Sequence, residues 1–243
     1  MINCNPETGA CELPSAASAP AAGAPRQQRP ATLHYVGDPM CSWCWGLSAE
    51  LKQIALHCQK QGIGFSVTMG GLRAGGGDKW DDAFKGFLRQ EWRHIAAVTG
   101  QPFGYGLLDE PHFDYDTEPA CRAVAVAQLL LAKEGEDPPL ALSFFTAVQR
   151  KFYVQGSDPK AVDFYRSICA ETGISFDDFR KQFESDAGKQ AAQAHFDRCR
   201  AMGVRSFPTL LLERDDERFA IASGYLKAAD AIDRITTILT PSR

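Results

Sequence analysis

Two cysteines stand two residues apart in "DPMCSWCWG", residues 38 to 46, with Ser42 and Trp43 between them. Sulfur at this spacing supports three chemistries: a dithiol that cycles with its disulfide, half of a tetrahedral metal site, or a pair of structural thiols. The neighbouring sequence separates them. A short β-type run, "ATLHYVG" (31–37), ends directly before the motif, and a helical pattern from about Ser42 to Gln61 follows it. Cys41 therefore falls where a helix begins. The first N–H groups of a helix have no intrahelical partners, and its aligned peptide dipoles place partial positive charge there. A thiolate at that end is stabilised and its pKa falls. Cys44, one turn further on and deeper, is placed to attack a mixed disulfide formed at Cys41. This assigns Cys41 as the attacking thiol and Cys44 as the resolving thiol. Neither Ser42 nor Trp43 brings positive charge, so the couple is expected to be less oxidising than one with histidine between the cysteines. A potential near about −120 mV is not expected.

Phe207-Pro208-Thr209, inside "SFPTLLLE" (206–213), is the second half of the pattern. A proline opening a strand is ordinarily a trans edge residue. Combined with an upstream CxxC on a strand–helix unit, it predicts a cis-proline loop facing the sulfurs. Such a loop leaves the backbone of Phe207 free to pair with an extended substrate peptide, and the ring crowds a metal away from the thiols.

The elements that must position these residues are legible in outline. "IGFSVTM" (63–69) alternates apolar and polar residues and reads as a second strand, parallel to the first across the helix. From Asp78 to about Gly203 the pattern is nearly all helical. Start signals stand at Thr117 before Glu118 and Pro119, at Asp158 before Pro159, and at Ser175 with Asp178 three residues on. The aromatics Trp80, Phe84, Phe87, Trp92, Phe144, Phe145, Phe152 and Tyr153 read mainly as the core of a helical bundle. "RFAIASG" (218–224) follows "SFPTLLLE" across the charged turn "RDDE", and a closing helix runs from about Lys227 to Leu239. The predicted order is βαβ, helical insert, ββα. This gives a tail over 1–30, a sheet domain over 31–77 and 204–243, and an insertion over 78–203.

At 243 residues and 44% hydrophobic content, the chain can bury one sizeable core. A net charge of −4 with no basic cluster argues against nucleic acid and anionic membrane as partners. No apolar run approaches the roughly 20 residues that span a bilayer. The first thirty residues lack a basic start and an apolar core, so they do not read as a signal peptide, and a cytoplasmic location is expected. Eight cysteines in that setting should mostly be reduced. Cys58, Cys121, Cys169 and Cys199 sit singly in helical patterns and read as small buried apolar residues. None of the histidines (His34, His57, His94, His112, His195) falls at ligand spacing from the CxxC, and no metal is expected. His34 is a candidate to pack beneath the site and transfer protons. "MGGLRAGGG" (69–77) lacks the Gly-Lys-Ser/Thr ending of a phosphate loop and reads as a mobile connector.

The tail keeps two readings open. Cys4 and Cys11 in "CNPETGAC" are flanked by the turn-forming pairs Asn5-Pro6 and Thr8-Gly9, which can bring the cysteines together. Residues 12 to 30 are rich in Ala, Pro, Ser and Gly, the composition of a disordered linker spanning on the order of 24 Å. The tail is thus either an auxiliary redox pair or metal ligand that reaches the site, or a disordered segment with two free thiols.

The CxxC opening the first helix, the helical insert, "VRSFPT" and "SGYL" together resemble the DsbA-like branch of the thioredoxin superfamily, with its FrnE-like, predicted protein-disulfide-isomerase members as the nearest likeness. The resemblance covers about 31 to 240. It implies a thioredoxin fold with helices inserted after the second strand, and a redox-active disulfide in place of a bound cofactor. Catalytic roles pass to Cys41, Cys44 and Pro208, Trp43 and Phe207 carry over by place, and Ser42, Trp43, Phe207, Thr209 and Asp38 would tune the couple or bind substrate. Asp38 matches an acidic position of FrnE-like relatives, although a turn residue before Pro39 accounts for it equally. Partners would be a disulfide-containing protein or a small thiol, with glutathione as a possible co-substrate. One rival is a glutathione-dependent isomerase or transferase of the kappa or 2-hydroxychromene-2-carboxylate isomerase type, whose members generally carry serine at the attacking position. The other is a thiol metal-binding protein, disfavoured by the spacing of Cys4 and Cys11 and by Pro208.

Overall fold

The computed structural model describes residues 4–5, 10–12, 30–133 and 138–240. Two short strands come first, β1 (Cys4–Asn5) and β2 (Ala10–Glu12), antiparallel with Cys4 opposite Cys11 and Asn5 opposite Ala10. β3 (Thr32–Gly37) follows, and its last three residues are all buried, as suits a central strand covered on both faces. A turn over 38–41 leads into α1 (Ser42–Lys60), whose stripe of Leu47, Leu51, Ile54 and Cys58 is fully enclosed. Burying each leucine or isoleucine of that stripe contributes about 1.5–3 kcal/mol. Gly62, at φ +66°, ends the helix in a Schellman turn, with Ile63 N–H donating to the Cys58 carbonyl at 2.9 Å. β4 (Gly64–Met69) then runs parallel to β3, Thr32 opposite Gly64 and Gly37 opposite Met69.

The insertion consists of α2 (Asp82–Thr99), α3 (Glu118–Lys133), α4 (Pro138–Tyr153), α5 (Arg166–Thr172), α6 (Phe176–Phe183) and α7 (Asp186–Ala201). Two 3₁₀ turns, Gly106–Asp109 and Val162–Tyr165, interrupt it. Ser175 caps α6 by accepting from Asp178 N–H, as its sequence signal predicts. Asp158 does not start a helix. Its carboxylate accepts from Lys160 N–H at 2.9 Å, a local turn that competes with helix formation. Most of the aromatics form the expected core, with Trp92 among Phe103, Tyr105, Phe152 and Tyr153. Phe87 departs from that reading at 38% exposed. Helices α3, α4 and α7 pack against β4 and cover that edge of the sheet.

The chain returns as β5 (Ser206–Phe207), β6 (Thr209–Arg214), β7 (Glu217–Ser223) and α8 (Ala228–Leu239). β6 is antiparallel to β3 and β7, so the main sheet has the order β4-β3-β6-β7. Asp215 and Asp216, both left-handed at φ +52° and +64°, make the two-residue turn between β6 and β7, a conformation that matches strand twist. A second, three-stranded sheet has the order β1-β2-β5, with Cys11 opposite Phe207 and Glu12 opposite Ser206. The expectation of a disordered tail over 1–30 is therefore corrected for residues 4–5 and 10–12, which form strands because β5 offers them an edge. The linker over 13–29 lies outside the described residues.

Candidate active site

The site is assembled where β3 and β4 end and β6 begins. Asp38, directly after β3, is fully buried. Its carboxylate accepts from Met40 N–H at 2.8 Å and from Leu72 N–H at 2.7 Å, and the Cys121 thiol donates to it at 3.4 Å. Its backbone carbonyl accepts from Cys41 N–H at 3.0 Å. Burial raises the Asp38 pKa, while the bonds from Met40, Thr117, Leu72 and Cys121 pull it back. Tyr115 from the insertion donates its hydroxyl to the Met40 carbonyl at 2.9 Å. The turn that presents Cys41 is thus held from the sheet, from the connector after β4 and from the helical insertion.

Cys41 is the N-cap of α1, at φ −86° and ψ 119°, and its carbonyl receives the first helical bond, from Trp45 N–H at 3.1 Å. Its thiol does not cap the helix; it points to the Phe207 carbonyl, 3.7 Å away. Cys44 approaches Cys41 to 3.4 Å, and both are free thiols. Neither has any surface exposed to water. Here the expectation of a lowered pKa is corrected. Burial pushes the Cys41 thiol well above its ordinary value, and neighbouring Cys44 and the charge of Asp38 push it further, although it does occupy the helix terminus. Sequence placed the helix end correctly but carried no sign of the enclosure.

The Phe207–Pro208 bond is cis. The Phe207 ring lies over Gly70, where a Cβ would come within 1.9 Å of its Cζ. The Pro208 carbonyl accepts from Gly224 N–H at 2.7 Å, and the buried Thr209 donates its hydroxyl to the Ser206 carbonyl at 2.7 Å. The loop is therefore pinned on both sides with the Phe207 carbonyl turned to Cys41. The expectation that the Phe207 backbone is free is corrected as well, because it is paired with Cys11 of β2.

Ser42 is half-buried, beside Met40, Leu72, Arg73, Glu91 and Tyr115. Trp43 is 2% exposed and packs edge-on to His94 at 5.7 Å and against Tyr225 at 6.2 Å. His34 bonds to Ser66 at 2.7 Å and faces Glu213 at 3.7 Å. The connector over 69–77 is anchored rather than mobile at Leu72, by Asp38, and at Arg73, which pairs with Asp78 and lies over Phe84 and Tyr115. The remaining helix cysteines are buried as expected, and burial raises Cys58 and Cys199 to about 11 and Cys169 to about 12. A cavity of about 410 Å³ lies between α1 and α4, lined by Trp45, Ser48, Lys52, Gln101 and Arg150 but by neither CxxC thiol. Tyr115, Leu72 and Cys121 were not singled out for the site, since residues 30 to 80 positions away reach it only through tertiary packing.

No family model matches the chain. The ClpXP adapter protein SpxH of Bacillus subtilis is 20% identical over 201 residues, 82% of this chain. The chain spans only 64% of the length of that curated relative. The oxidoreductase DsbA from Xylella fastidiosa and a 2-hydroxychromene-2-carboxylate isomerase share the fold, with TM-scores of 0.51 and 0.52 at 17% and 12% identity. A candidate protein disulfide isomerase from Nitrosomonas europaea superposes with a TM-score of 0.72 at 31% identity, covering 87% of this chain and 98% of that one. The chain belongs to the DsbA-like branch of the thioredoxin superfamily. Another DsbA-like relative, the cytosolic disulfide reductase DsbM from Pseudomonas aeruginosa, is 26% identical with a TM-score of 0.67, over 85% of this chain and 98% of its own. DsbM has also been solved with GSH. The fold is accordingly a thioredoxin fold with a helical insertion after β4, the DsbA-like arrangement.

Proposed function

We propose that this DsbA-like chain is a thiol–disulfide oxidoreductase that acts as a disulfide reductase, using Cys41 to attack and Cys44 to resolve. One observation carries the reading: Cys41 caps α1 with Cys44 at 3.4 Å and the Phe207 carbonyl at 3.7 Å. The first pair of atoms supplies dithiol exchange, and the third marks the edge where an extended peptide can be read. In the first step the Cys41 sulfur attacks a substrate disulfide, forming a bond to one sulfur while its proton passes to the other, which leaves as a thiol. The Cys44 thiolate then attacks Cys41, closing the Cys41–Cys44 disulfide and releasing the second substrate sulfur. Two small thiols, of which glutathione is the proposed one, return the enzyme to its dithiol and leave as their own disulfide. The GSH-bound form of DsbM supports that co-substrate, and the cytosolic setting in its name supports a cytoplasmic reductase here.

Asp38 is assigned to positioning, since its bonds fix the backbone that carries Cys41. Pro208 and Thr209 hold the Phe207 carbonyl in place. Insulin reduction and scrambled-ribonuclease refolding, run beside a glutathione-conjugation assay, test the reading. Cys41→Ser is expected to abolish exchange, while Cys44→Ser accumulates a mixed disulfide. Exchange that survives in Cys41→Ser, or conjugation without exchange in the native protein, overturns it.

A further inference from the structure

The edge that should receive a substrate peptide is already occupied by the chain itself. β2 lies antiparallel on β5 with Cys11 at the register position opposite Phe207, the residue whose carbonyl faces the Cys41 sulfur. Paired residues of an antiparallel ladder have Cα atoms about 4.5–5.5 Å apart, so Cys11 is held one strand spacing from the edge that Cys41 serves. Its own cross-strand partner is Cys4. The same spacing falls within the roughly 4.4–6.8 Å over which two Cα atoms can be bridged by a disulfide. Cys41 and Phe207 meanwhile show no surface to water, so an external disulfide does not reach the sulfur while this arrangement holds. Among the described strands, the one seated on the Phe207 edge carries one cysteine and pairs with a strand carrying another.

We propose that the N-terminal hairpin is a built-in exchange partner of the CxxC, with Cys4 and Cys11 forming a second dithiol–disulfide couple that trades electrons with Cys41 and Cys44. This rests on the thiol–disulfide exchange reading above. The Cys41 sulfur attacks the Cys11 sulfur of a Cys4–Cys11 disulfide, forming the Cys41–Cys11 bond while its proton passes to Cys4, which leaves as a thiol. Cys44 thiolate then attacks Cys41, closing Cys41–Cys44 and releasing Cys11. Two electrons pass to the hairpin, and the atoms balance without an outside reagent. Run in reverse, a hairpin dithiol reduced by a small thiol such as glutathione returns Cys41–Cys44 to its reduced form. Displacement of the hairpin frees the Phe207 edge for an external peptide. Tethering on one chain gives Cys11 an effective concentration of about millimolar at the site, enough to compete with a cellular small thiol.

The test uses the full chain as Cys44→Ser, equilibrated in a mixture of reduced and oxidised glutathione, acid-quenched and digested without reduction. Mass spectrometry is expected to find the peptide carrying Cys11 linked to the peptide carrying Cys41. The linked fraction should stay unchanged over about a tenfold dilution of protein, as an intramolecular bond requires. It should vanish in Cys11→Ser/Cys44→Ser. If Cys41 carries glutathione alone, or if the linked species falls away on dilution, the inference is overturned while the exchange reading stands. If Cys41 carries neither glutathione nor Cys11 and the native protein fails to reduce insulin, both fall.

Discussion

Asp38 is the residue whose removal should be felt most sharply for its size. In Asp38→Ala the buried amides of Met40 and Leu72 lose their acceptor together. Each unsatisfied buried donor costs about 1–3 kcal/mol, and removing a desolvated charge returns part of that. The balance is a loss of about 2–4 kcal/mol, which for a chain of this size lowers the melting temperature by roughly 4–16 °C. Asp38→Asn keeps one oxygen, able to serve Met40 or Leu72 but not both, and should lose about 1–3 kcal/mol. Urea unfolding followed by fluorescence gives both values, with unchanged m-values expected. Amide hydrogen exchange locates the effect: the N–H groups of Met40 and Leu72 should lose protection in the alanine variant before the rest of the sheet does. The reasoning is refuted if Asp38→Ala melts with the native protein, or if asparagine proves more damaging than alanine. The latter result would mean that the asparagine NH2, set against the Met40 or Leu72 N–H, costs more than the lost acceptors do.

Two further outcomes follow from the packing around the ends of β4 and β5. Burial lowers His195 to about 4, and its ring nitrogen accepts from Met69 N–H at 3.4 Å. Between about 4 and 6.5 the unfolded chain binds a proton that the folded chain refuses, so stability should fall on acidification through that window by about 3 kcal/mol. Urea midpoints at the two ends of the window measure the slope, and His195→Gln should flatten it. Gly70→Ala should push the Phe207 ring from its seat, costing about 1–3 kcal/mol by overpacking and slowing insulin reduction in parallel. Normal turnover in that variant would show that the seat of Phe207 is not needed to present its carbonyl.

Much of this site is readable from local pattern. The strand ending at Gly37, the helix opening at Ser42 and the proline beginning "SFPTLLLE" follow from composition and periodicity, and the structure places them within a residue or two. What local pattern does not carry is depth. The ionisation expected of Cys41 assumed a helix terminus open to water, and the enclosure that reverses it is built by residues far along the chain, Phe207 and Tyr115 among them. Asp38 was ambiguous for the same reason, since a turn residue becomes an anchor only when Leu72 arrives to meet it. Sequence leaves the tail open between order and disorder at residues 4–5 and 10–12 because two- and three-residue strands have no periodicity of their own and form against an existing edge.

The turn at Asp215 and Asp216 sits at the opposite end of β6 from Pro208. Six residues of extended chain separate the two, or about 20 Å. One end of the sheet thus gathers the loops that carry Cys41 and Pro208, while the other is closed by a tight charged bend. That bend is a natural handle: a dye or surface linker attached there would let turnover be watched on single molecules without burdening the end that reacts.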